Sequence, residues 1–193
     1  DAGYYGSVDI GSFSAEQGEK AYIPIRIEGP ILDLIEKSNQ VPLNLYIDIA
    51  YNSTLLYPRS QESIYRFQIL SHSVDDIGLR RLSYALALRK ENFNDGNIFR
   101  IPVTTGLGNS PDTPIFLTSA EFISSDFVGT DSISDGHFTL EGLKYYGNEP
   151  ILIQPGGASA KTTAAPNHMS GSGKFKVTFY QDCRAEIFLT DYK

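Results

Sequence analysis

Residues 42–50 read PLNLYIDIA, a stretch in which apolar and polar side chains alternate from Leu43 to Ile49. A repeat of two is typical of a β-strand that is buried on one face, because successive side chains of a strand point to opposite sides of the sheet. We therefore predict a half-buried strand here, with the leucines and isoleucines facing the core. The same repeat is found along much of the chain and predicts a fold built from β-strands.

The alternating pattern recurs on both sides of this segment and predicts strands at residues 21–28, 64–70, 82–88, 99–103, 115–122 and 137–143. Pro24 lies inside the first of them and predicts an edge strand or a bulge, because proline cannot donate a hydrogen bond to a neighbouring strand. Ala85 and Ala87 would also suit a helix, so the third segment has a helical alternative. A short helix is predicted at residues 31–37, where a loop flap over one end of the strands is the alternative.

The composition agrees with many strands joined by turns. The 193 residues include 12 tyrosines, 11 phenylalanines, 17 glycines and 10 prolines. Aromatic residues favour strands, whereas glycine and proline favour turns. We predict an all-β fold, a two-sheet, jelly-roll-like β-sandwich followed by a flexible linker and a C-terminal β-hairpin segment.

Charge and rare residues exclude several classes of protein. The formal net charge is −7 and the chain has no basic cluster, which is unsuited to nucleic-acid binding. No apolar run approaches the roughly 20 residues of a transmembrane helix, so we expect no transmembrane segment. The single cysteine, Cys183, and three scattered histidines exclude a disulfide framework and a thiolate zinc site.

A change of composition divides the chain. Of the 19 residues from 155 to 173, 16 are Gly, Ala, Ser, Thr, Pro or Asn, and such a stretch buries too little apolar surface to order itself. We predict three parts: a sandwich at residues 1–144, a linker at 145–173 whose second part is rich in these residues, and a hairpin at 174–193. Alternation at 175–179 and at 185–189 supplies the two strands of that hairpin.

Four motifs follow one another in the predicted sandwich: VDIG at 8–11, LYIDIAYNSTLL at 45–56, NDGNIFRI at 94–101 and SDGHFTL at 134–140. Their order and spacing resemble the cohesin-like β-sandwich, a jelly roll shared with several carbohydrate-binding modules. Segment 29–41 departs from the compact form of that family. The resemblance implies a recognition module, of which a dockerin-binding cohesin is one form, but no motif reaches the partner-binding face, so no contact residue carries over.

A second resemblance lies in the C-terminal part. APNH at 165–168, FKVTF at 175–179 and AEIFLTDY at 185–192 resemble the opening of a type IX secretion C-terminal sorting domain. His168 replaces the usual second proline, and the sequence stops before the later strands of that family. The resemblance implies an incomplete sorting domain and an extracellular or outer-surface protein of a Bacteroidota- or Chlorobi-like bacterium.

Motifs for catalysis and metal binding are sparse. No Ser-His-Asp set, nucleophile elbow or phosphate loop stands out, so we predict no catalytic residue and no enzymatic activity. Calcium is the one cofactor considered, because calcium takes loop carboxylates and carbonyls as ligands. Asp95 and Asp135 are its candidates, since each precedes a predicted strand in an Asp-Gly turn. Turn chemistry alone also explains both residues.

Paired tyrosines flank the predicted sandwich. Tyr4 and Tyr5 precede it and Tyr145 and Tyr146 follow it. Adjacent residues of a strand point to opposite faces, so at least one ring of each pair is expected to meet solvent or a partner. We take these four tyrosines as candidate ligand or partner contacts. The alternative is that they cover apolar surface.

Two short patterns suggest glycosylation. Asn52 begins an Asn-Ser-Thr sequon, which has meaning in a host with N-glycosylation machinery. Ser132 lies in Asp-Ser-Ile, which resembles the O-glycan acceptor of Bacteroidota. Both residues are candidate modification sites.

We predict a non-catalytic extracellular or cell-surface module that acts through protein–protein contact, in adhesion, surface assembly or as a filament subunit. The physical reason for this prediction is the C-terminal hairpin. Its unpaired strand edges favour joining another sheet, in a protein partner or in a second copy. The alternative is a carbohydrate-binding module attached to a secreted enzyme system, with polysaccharide stacked on tyrosine rings.

Overall fold

The computed structural model describes residues 3–37, 42–59, 66–93 and 97–152, together with the backbone of residues 160–165 and 174–179. The chain forms two compact units, Asp1–Leu152 and Ile153–Lys193. None of the helices in the described part of the chain has the length and apolar character that a bilayer crossing requires.

The first unit is built from two main sheets. Its strands are β1 Tyr4–Ile10, β2 Phe13–Glu16, β3 Lys20–Glu28, β4 Leu43–Asn52, β5 Leu56–Pro58, β6 Phe67–Val74, β7 Leu79–Leu88, β8 Ile98–Thr105, β9 Asp112–Ile123, β10 Val128–Ser134, β11 Gly136–Glu141, β12 Tyr145–Tyr146 and β13 Glu149–Pro150. One sheet has the order β10-β1-β3-β8-β5, the other has the order β2-β11-β9-β4-β7-β6, and β12 pairs with β13. The prediction of an all-β, two-sheet sandwich is confirmed.

Alternation in the sequence becomes alternation of burial. In β4, Leu45, Ile47 and Ile49 are at most 1% exposed, whereas Tyr46 is 39% exposed. The inward residues of two neighbouring strands in the opposite sheet are fully buried: Ile23, Ile25, Ile27, Phe99, Ile101 and Val103. Burial of each such side chain contributes about 1.5–3 kcal/mol, so the core between the sheets is the main source of stability.

The structure resolves the two segments for which the sequence left a helix and another conformation open. Residues 82–88 belong to strand β7, where Leu82 and Leu86 face the core and Ala85 lies beside Tyr46 of β4. Helix α1 spans Leu32–Glu36, which confirms the short helix predicted there. Its inward residues are Leu34 and Ile35, and the helix therefore covers part of the core.

Pro24 lies in a central strand, so the prediction of an edge strand or a bulge is wrong. Strand β3 pairs with β1 on one side and with β8 on the other. The Pro24 carbonyl accepts a hydrogen bond from the Gly11 N–H at 2.9 Å. Because the N and C=O groups of a strand residue point to the same side, the Pro24 nitrogen also faces β1. The β1 ladder ends at the Ile10–Ile25 pair, so the missing N–H removes no ladder hydrogen bond.

Two pairs of neighbouring strands, one in each sheet, join the beginning of the first unit to its later part and run parallel. β1 pairs with β10, and β2 pairs with β11, in both cases in parallel. Two of the places where the chain passes from one sheet to the other are the links from β1 to β2 and from β10 to β11. Gly136 begins β11, directly after the second of these links, and an added Cβ there would lie 2.3 Å from Ile10 Cγ2 and 2.8 Å from the Gly11 carbonyl oxygen.

The second unit contains an antiparallel pair, β14 Ala160–Ala165 and β15 Lys174–Phe179. Strand β15 coincides with the first predicted strand of the C-terminal hairpin. Its partner β14 lies inside segment 145–173, for which composition predicts a linker, as do β12 and β13. Two threonines at 162 and 163 favour extended backbone, which explains a strand in a stretch of small residues. The second predicted hairpin strand, 185–189, and Cys183 lie outside the described residues, and the domain boundaries remain predictions.

Candidate interaction surface

The polar residues of the alternating strands lie on the outer side of the six-stranded sheet. Tyr46 and Asp48 of β4 point outward beside Ala85 and Ser83 of β7. We call the outward side chains of β2, β11, β9, β4, β7 and β6 the acidic face. It is one continuous surface, because these strands are hydrogen-bonded to one another in that order.

A shallow, open groove of about 360 Å³ lies on the part of the acidic face that β9, β4, β7 and β6 form. Its floor consists of short polar side chains. The Ser119 hydroxyl donates to Asp48 Oδ2 at 2.7 Å, and the Ser71 hydroxyl donates to Ser83 Oγ at 2.8 Å. Tyr46 also lines the groove. Short side chains leave the groove shallow, so that another protein surface can approach the sheet closely.

Large apolar side chains are distributed over the acidic face. Tyr46 and Leu70 line the groove and are 39% and 48% exposed. Phe116 and Ile123 of β9 are 38% and 42% exposed. Apolar side chains within a polar surround are a property of surfaces that bind other proteins.

Carboxylates outnumber cations on this face. Five of its outward residues are acidic: Glu16, Asp48, Asp112, Glu121 and Glu141. Among the described outward residues of these strands, Arg81 is the one guanidinium, and it forms an ion pair with Asp75 at 3.1 Å. A hydrogen bond from the Leu79 N–H, and then Arg81, hold the pKa of the Asp75 carboxyl below its usual range. The acidic face therefore attracts cationic groups.

The outer side of the five-stranded sheet differs in charge. Tyr22 of β3 is 39% exposed and lies opposite Pro102 of β8. Lys20 and Arg26 lie on the same side of β3 as Tyr22, and Arg100 lies on the same side of β8 as Pro102. Asp9 of β1 lies directly opposite Arg26, and Glu28 follows Arg26 on the same side of β3. The outer side of this sheet therefore carries both signs of charge.

The four predicted tyrosines lie at separate places in the first unit. Tyr4 packs against the core, whereas Tyr5 is 38% exposed and meets the Phe127 ring edge-on at 6.1 Å. Tyr145 and Tyr146 form strand β12 and are 60% and 86% exposed. At least one ring of each pair thus meets solvent, and their role as partner contacts remains a prediction.

The calcium candidates have separate outcomes. Asp95 lies outside the described residues. Asp135 lies between β10 and β11, and its Oδ1 accepts a hydrogen bond from the Leu117 N–H at 2.7 Å. Within the described ranges, no three His, Cys, Asp or Glu residues form a group suited to a metal ion. Calcium binding remains a prediction.

The two glycosylation candidates also differ in environment. Asn52 Nδ2 donates to Asn109 Oδ1 at 2.6 Å, and the Thr54 N–H donates to Asn52 Oδ1 at 3.0 Å. Asn52 is therefore part of a side-chain network. Ser132 is exposed on β10, and its hydroxyl donates to Ser7 Oγ at 3.0 Å.

Two tyrosines lie in the core of the sandwich and not on a binding surface. Tyr51 and Tyr84 are fully buried, and neither hydroxyl has a hydrogen-bond partner in the described part of the chain. Burial raises the pKa of both phenols, and the nearby Tyr84 raises that of Tyr51 further. The period of two places both on inward positions, because Tyr51 follows Ile49 by two residues and Tyr84 follows Leu82 by two.

We expect Tyr51→Phe and Tyr84→Phe each to raise the free energy of unfolding by up to about 1 kcal/mol at pH 7, because each removes a buried hydroxyl without a partner. The folded-state pKa values lie above the usual value of about 10, so stability is complete below pH 10 and falls as the pH rises further. The variants should lose less stability than the parent between pH 9 and pH 11. Urea unfolding at both pH values measures this, and a loss above 1 kcal/mol at pH 7 would contradict it.

Comparison with known proteins shows structural similarity at low sequence identity. No family model and no curated protein matches the chain. A chain of a type I cohesin–dockerin complex from Clostridium thermocellum is 11% identical with a TM-score of 0.41, and the alignment covers 73% of this chain and 97% of that one. A non-cellulosomal cohesin from Archaeoglobus fulgidus is 16% identical with a TM-score of 0.40, covering 70% and 91%. A cohesin module of a Clostridium perfringens family 33 glycoside hydrolase is 12% identical with a TM-score of 0.33, covering 68% and 99%.

Proposed function

We propose that the chain is a non-catalytic extracellular or cell-surface module that acts through protein–protein contact. Its docking surface is the acidic face, and its partner is a protein surface that bears lysine and arginine side chains. The observation that carries this proposal is the joint presence, on one flat sheet, of exposed apolar residues and five carboxylates against one ion-paired guanidinium.

The size of the acidic face suits a protein partner. Six strands about 4.8 Å apart and about eight residues long cover roughly 750 Å², which is close to the ~800 Å² that each partner contributes to a standard interface. Tyr46 lies on the inner strand β4 and Leu70 on the edge strand β6, and both would supply the apolar contact. Asp48 and Glu121 are beside them and would steer and orient a basic partner.

The openness of the acidic face favours binding over catalysis. Catalytic electrostatics act in sites from which water is excluded, whereas the carboxylates of Glu16, Glu121 and Glu141 are exposed to solvent. The extracellular location is supported by the resemblance of residues 165–192 to a secretion sorting domain, a stretch that lies mostly outside the described residues.

Photo-crosslinking tests the docking surface. Benzoylphenylalanine placed at Tyr46 should yield protein adducts in the producing cells, whereas the same group at Ile77, which is 81% exposed in a loop, should not. The adduct is identified by mass spectrometry, and its partner is purified. We expect a surface rich in lysine and arginine at the crosslinked position.

Charge reversal then tests the chemistry. Asp48→Lys combined with Glu121→Lys should weaken binding of the purified partner at least tenfold at low salt, because two attractive contacts become repulsive. The matched control reverses two exposed acidic residues of helix α1, Asp33→Lys with Glu36→Lys, and should leave the affinity within twofold. The proposal is refuted if the two double variants weaken binding equally, or if benzoylphenylalanine gives an adduct at neither Tyr46 nor Ile77. It is also refuted if the protein binds a polysaccharide array and this binding depends on Tyr46.

A further inference from the structure

The antiparallel pair of β14 and β15 in the second unit separates charged from apolar residues. Residues directly opposite each other in such a pair share one face, and the faces alternate along each strand. By this register, one face of the pair contains Lys161, Thr163, Ala165, Lys174, Lys176 and Thr178. The other face contains Ala160, Thr162, Ala164, Phe175, Val177 and Phe179. We call the first set of six residues the lysine face.

The lysine face belongs to a part of the chain without acidic residues. No aspartate or glutamate occurs between Glu149 and Asp182. The two units consequently differ in the sign of their formal charge. The first unit has 11 lysines and arginines against 20 aspartates and glutamates, which gives −9, and the second has 5 against 3, which gives +2. Three of the five cations of the second unit are on the lysine face.

The lysine face matches the acidic face in spacing as well as in sign. Asp48 and Glu121 are diagonal neighbours across the β4–β9 pair. Lys161 and Lys176 are diagonal neighbours across the β14–β15 pair. Diagonal neighbours on one face of a sheet are about 7–8 Å apart. Two ion pairs can therefore form at the same time when the two faces meet.

We propose that the protein bound by the acidic face is a second copy of this chain, which presents its lysine face. This inference rests on the proposed function and names the partner of the same surface. Lys161 and Lys176 of one copy would pair with Asp48 and Glu121 of the next. Tyr46 lies directly opposite Glu121, so a lysine that pairs with Glu121 also meets an exposed aromatic ring, which attracts ammonium groups.

The contact is heterologous, because each copy uses its acidic face for one contact and its lysine face for another. A heterologous contact produces rings if the rotation closes and open filaments if it does not. Association therefore either closes, at two copies or more, or continues as a filament. In both cases every contact joins the same two surfaces, so reversing the charges of either surface removes all of them.

Ionic strength controls this assembly in a specific way. The net charge of −7 opposes approach at long range, but charges are screened beyond about 8 Å at 0.15 M salt. Contacts between facing charges then decide the outcome. We expect association at 0.15 M salt and dissociation as the salt concentration rises toward 1 M.

The test mixes two full-length variants that are each unable to self-associate. The first variant carries Asp48→Lys and Glu121→Lys on the acidic face, and the second carries Lys161→Glu and Lys176→Glu on the lysine face. In sedimentation velocity at 0.15 M salt, the parent chain should pass from monomer to larger species as its concentration rises. Each variant alone should have an association constant at least tenfold lower, and an equal mixture should regain association.

A matched control changes the net charge by the same amount as the second variant. It carries Lys37→Glu and Lys144→Glu, at two exposed lysines of the first unit that lie outside the strands of the acidic face. Its association constant should stay within twofold of that of the parent. Circular dichroism verifies the folding of all variants, and the neutral pairs Asp48→Asn with Glu121→Gln and Lys161→Gln with Lys176→Gln replace a variant that does not fold.

Several results would overturn the inference. They are variants that associate like the parent, a control that loses association as strongly as the second variant, a mixture that stays monomeric, and a parent that is monomeric at every concentration. The last result is also expected if the lysine face binds the acidic face of its own chain. If the parent is monomeric while binding of a crosslinked basic partner is still lost on Asp48 and Glu121 reversal, the self-assembly inference fails and the proposed function stands. If neither behaviour depends on the acidic face, both fail.

Discussion

Replacing Phe99 by alanine is expected to lower the free energy of unfolding by about 3–5 kcal/mol, the usual cost of removing a buried phenylalanine side chain. Phe99 is fully buried on β8, and its ring meets that of Phe93 at 6.4 Å. Strand β8 pairs with β3 and β5, so the surrounding backbone is held on both sides and collapses poorly into the space left. The result is a cavity whose walls lose their dispersion contacts.

Phe116→Ala is the matched control, because Phe116 also lies in a paired strand but is 38% exposed on the outer side. This control substitution should lower the free energy of unfolding by less than about 1.5 kcal/mol. Denaturant unfolding at a dilute concentration, where self-association does not contribute, measures both values. Equal losses for the two variants would contradict the burial assigned to Phe99.

Gly136→Val is expected to destabilise the sandwich by about 3 kcal/mol, at the upper end of the usual cost of inserting atoms into a packed site. The added Cβ would lie 2.3 Å from the Ile10 side chain and 2.8 Å from the Gly11 carbonyl oxygen. The side chain can rotate away, but the carbonyl belongs to the segment that links β1 to β2. The steric clash can therefore be relieved only if the segment that links β1 to β2 moves away from the segment that links β10 to β11.

Gly147→Ala separates this steric effect from the conformational freedom of glycine. Gly147 has a φ of 64°, and an added Cβ there meets no atom within 4 Å, so the expected cost is the 1–2 kcal/mol of a left-handed backbone, roughly. Thermal unfolding followed by circular dichroism compares the two variants. A Gly136→Val protein as stable as Gly147→Ala would refute the close packing at the crossing.

The strands that sequence analysis found are those whose two faces differ in polarity. β4 and β8 could be predicted because one face is buried and the other is exposed. β10 could not, because its sequence, VGTDSIS, has no apolar repeat and it is held mainly by backbone pairing with β1. The wrong prediction for Pro24 has a related cause. The local sequence shows that Pro24 lacks a backbone N–H, but it does not show that the ladder with the neighbouring strand β1 ends before that N–H is needed.

The acidic face could not be predicted from the sequence. Its carboxylates are spread from Glu16 to Glu141 and meet on one surface through the order of the strands, which depends on contacts between distant segments. No local motif reports that order. The tyrosine pairs could be noticed because they are adjacent in the chain, and the exposure of Tyr5, Tyr145 and Tyr146 follows from the same local pattern.

The parallel alignment of β1 with β10 has a mechanical consequence. When the two ends of the sandwich are pulled apart, two parallel neighbours slide lengthwise past each other, and all the bonds between them share the load at once. A hairpin opened from its end would instead yield one bond at a time. Because the rate of forced rupture is set by the unfolding barrier, we expect the β1–β10 pair to withstand lengthwise pulling for longer than a hairpin of the same length.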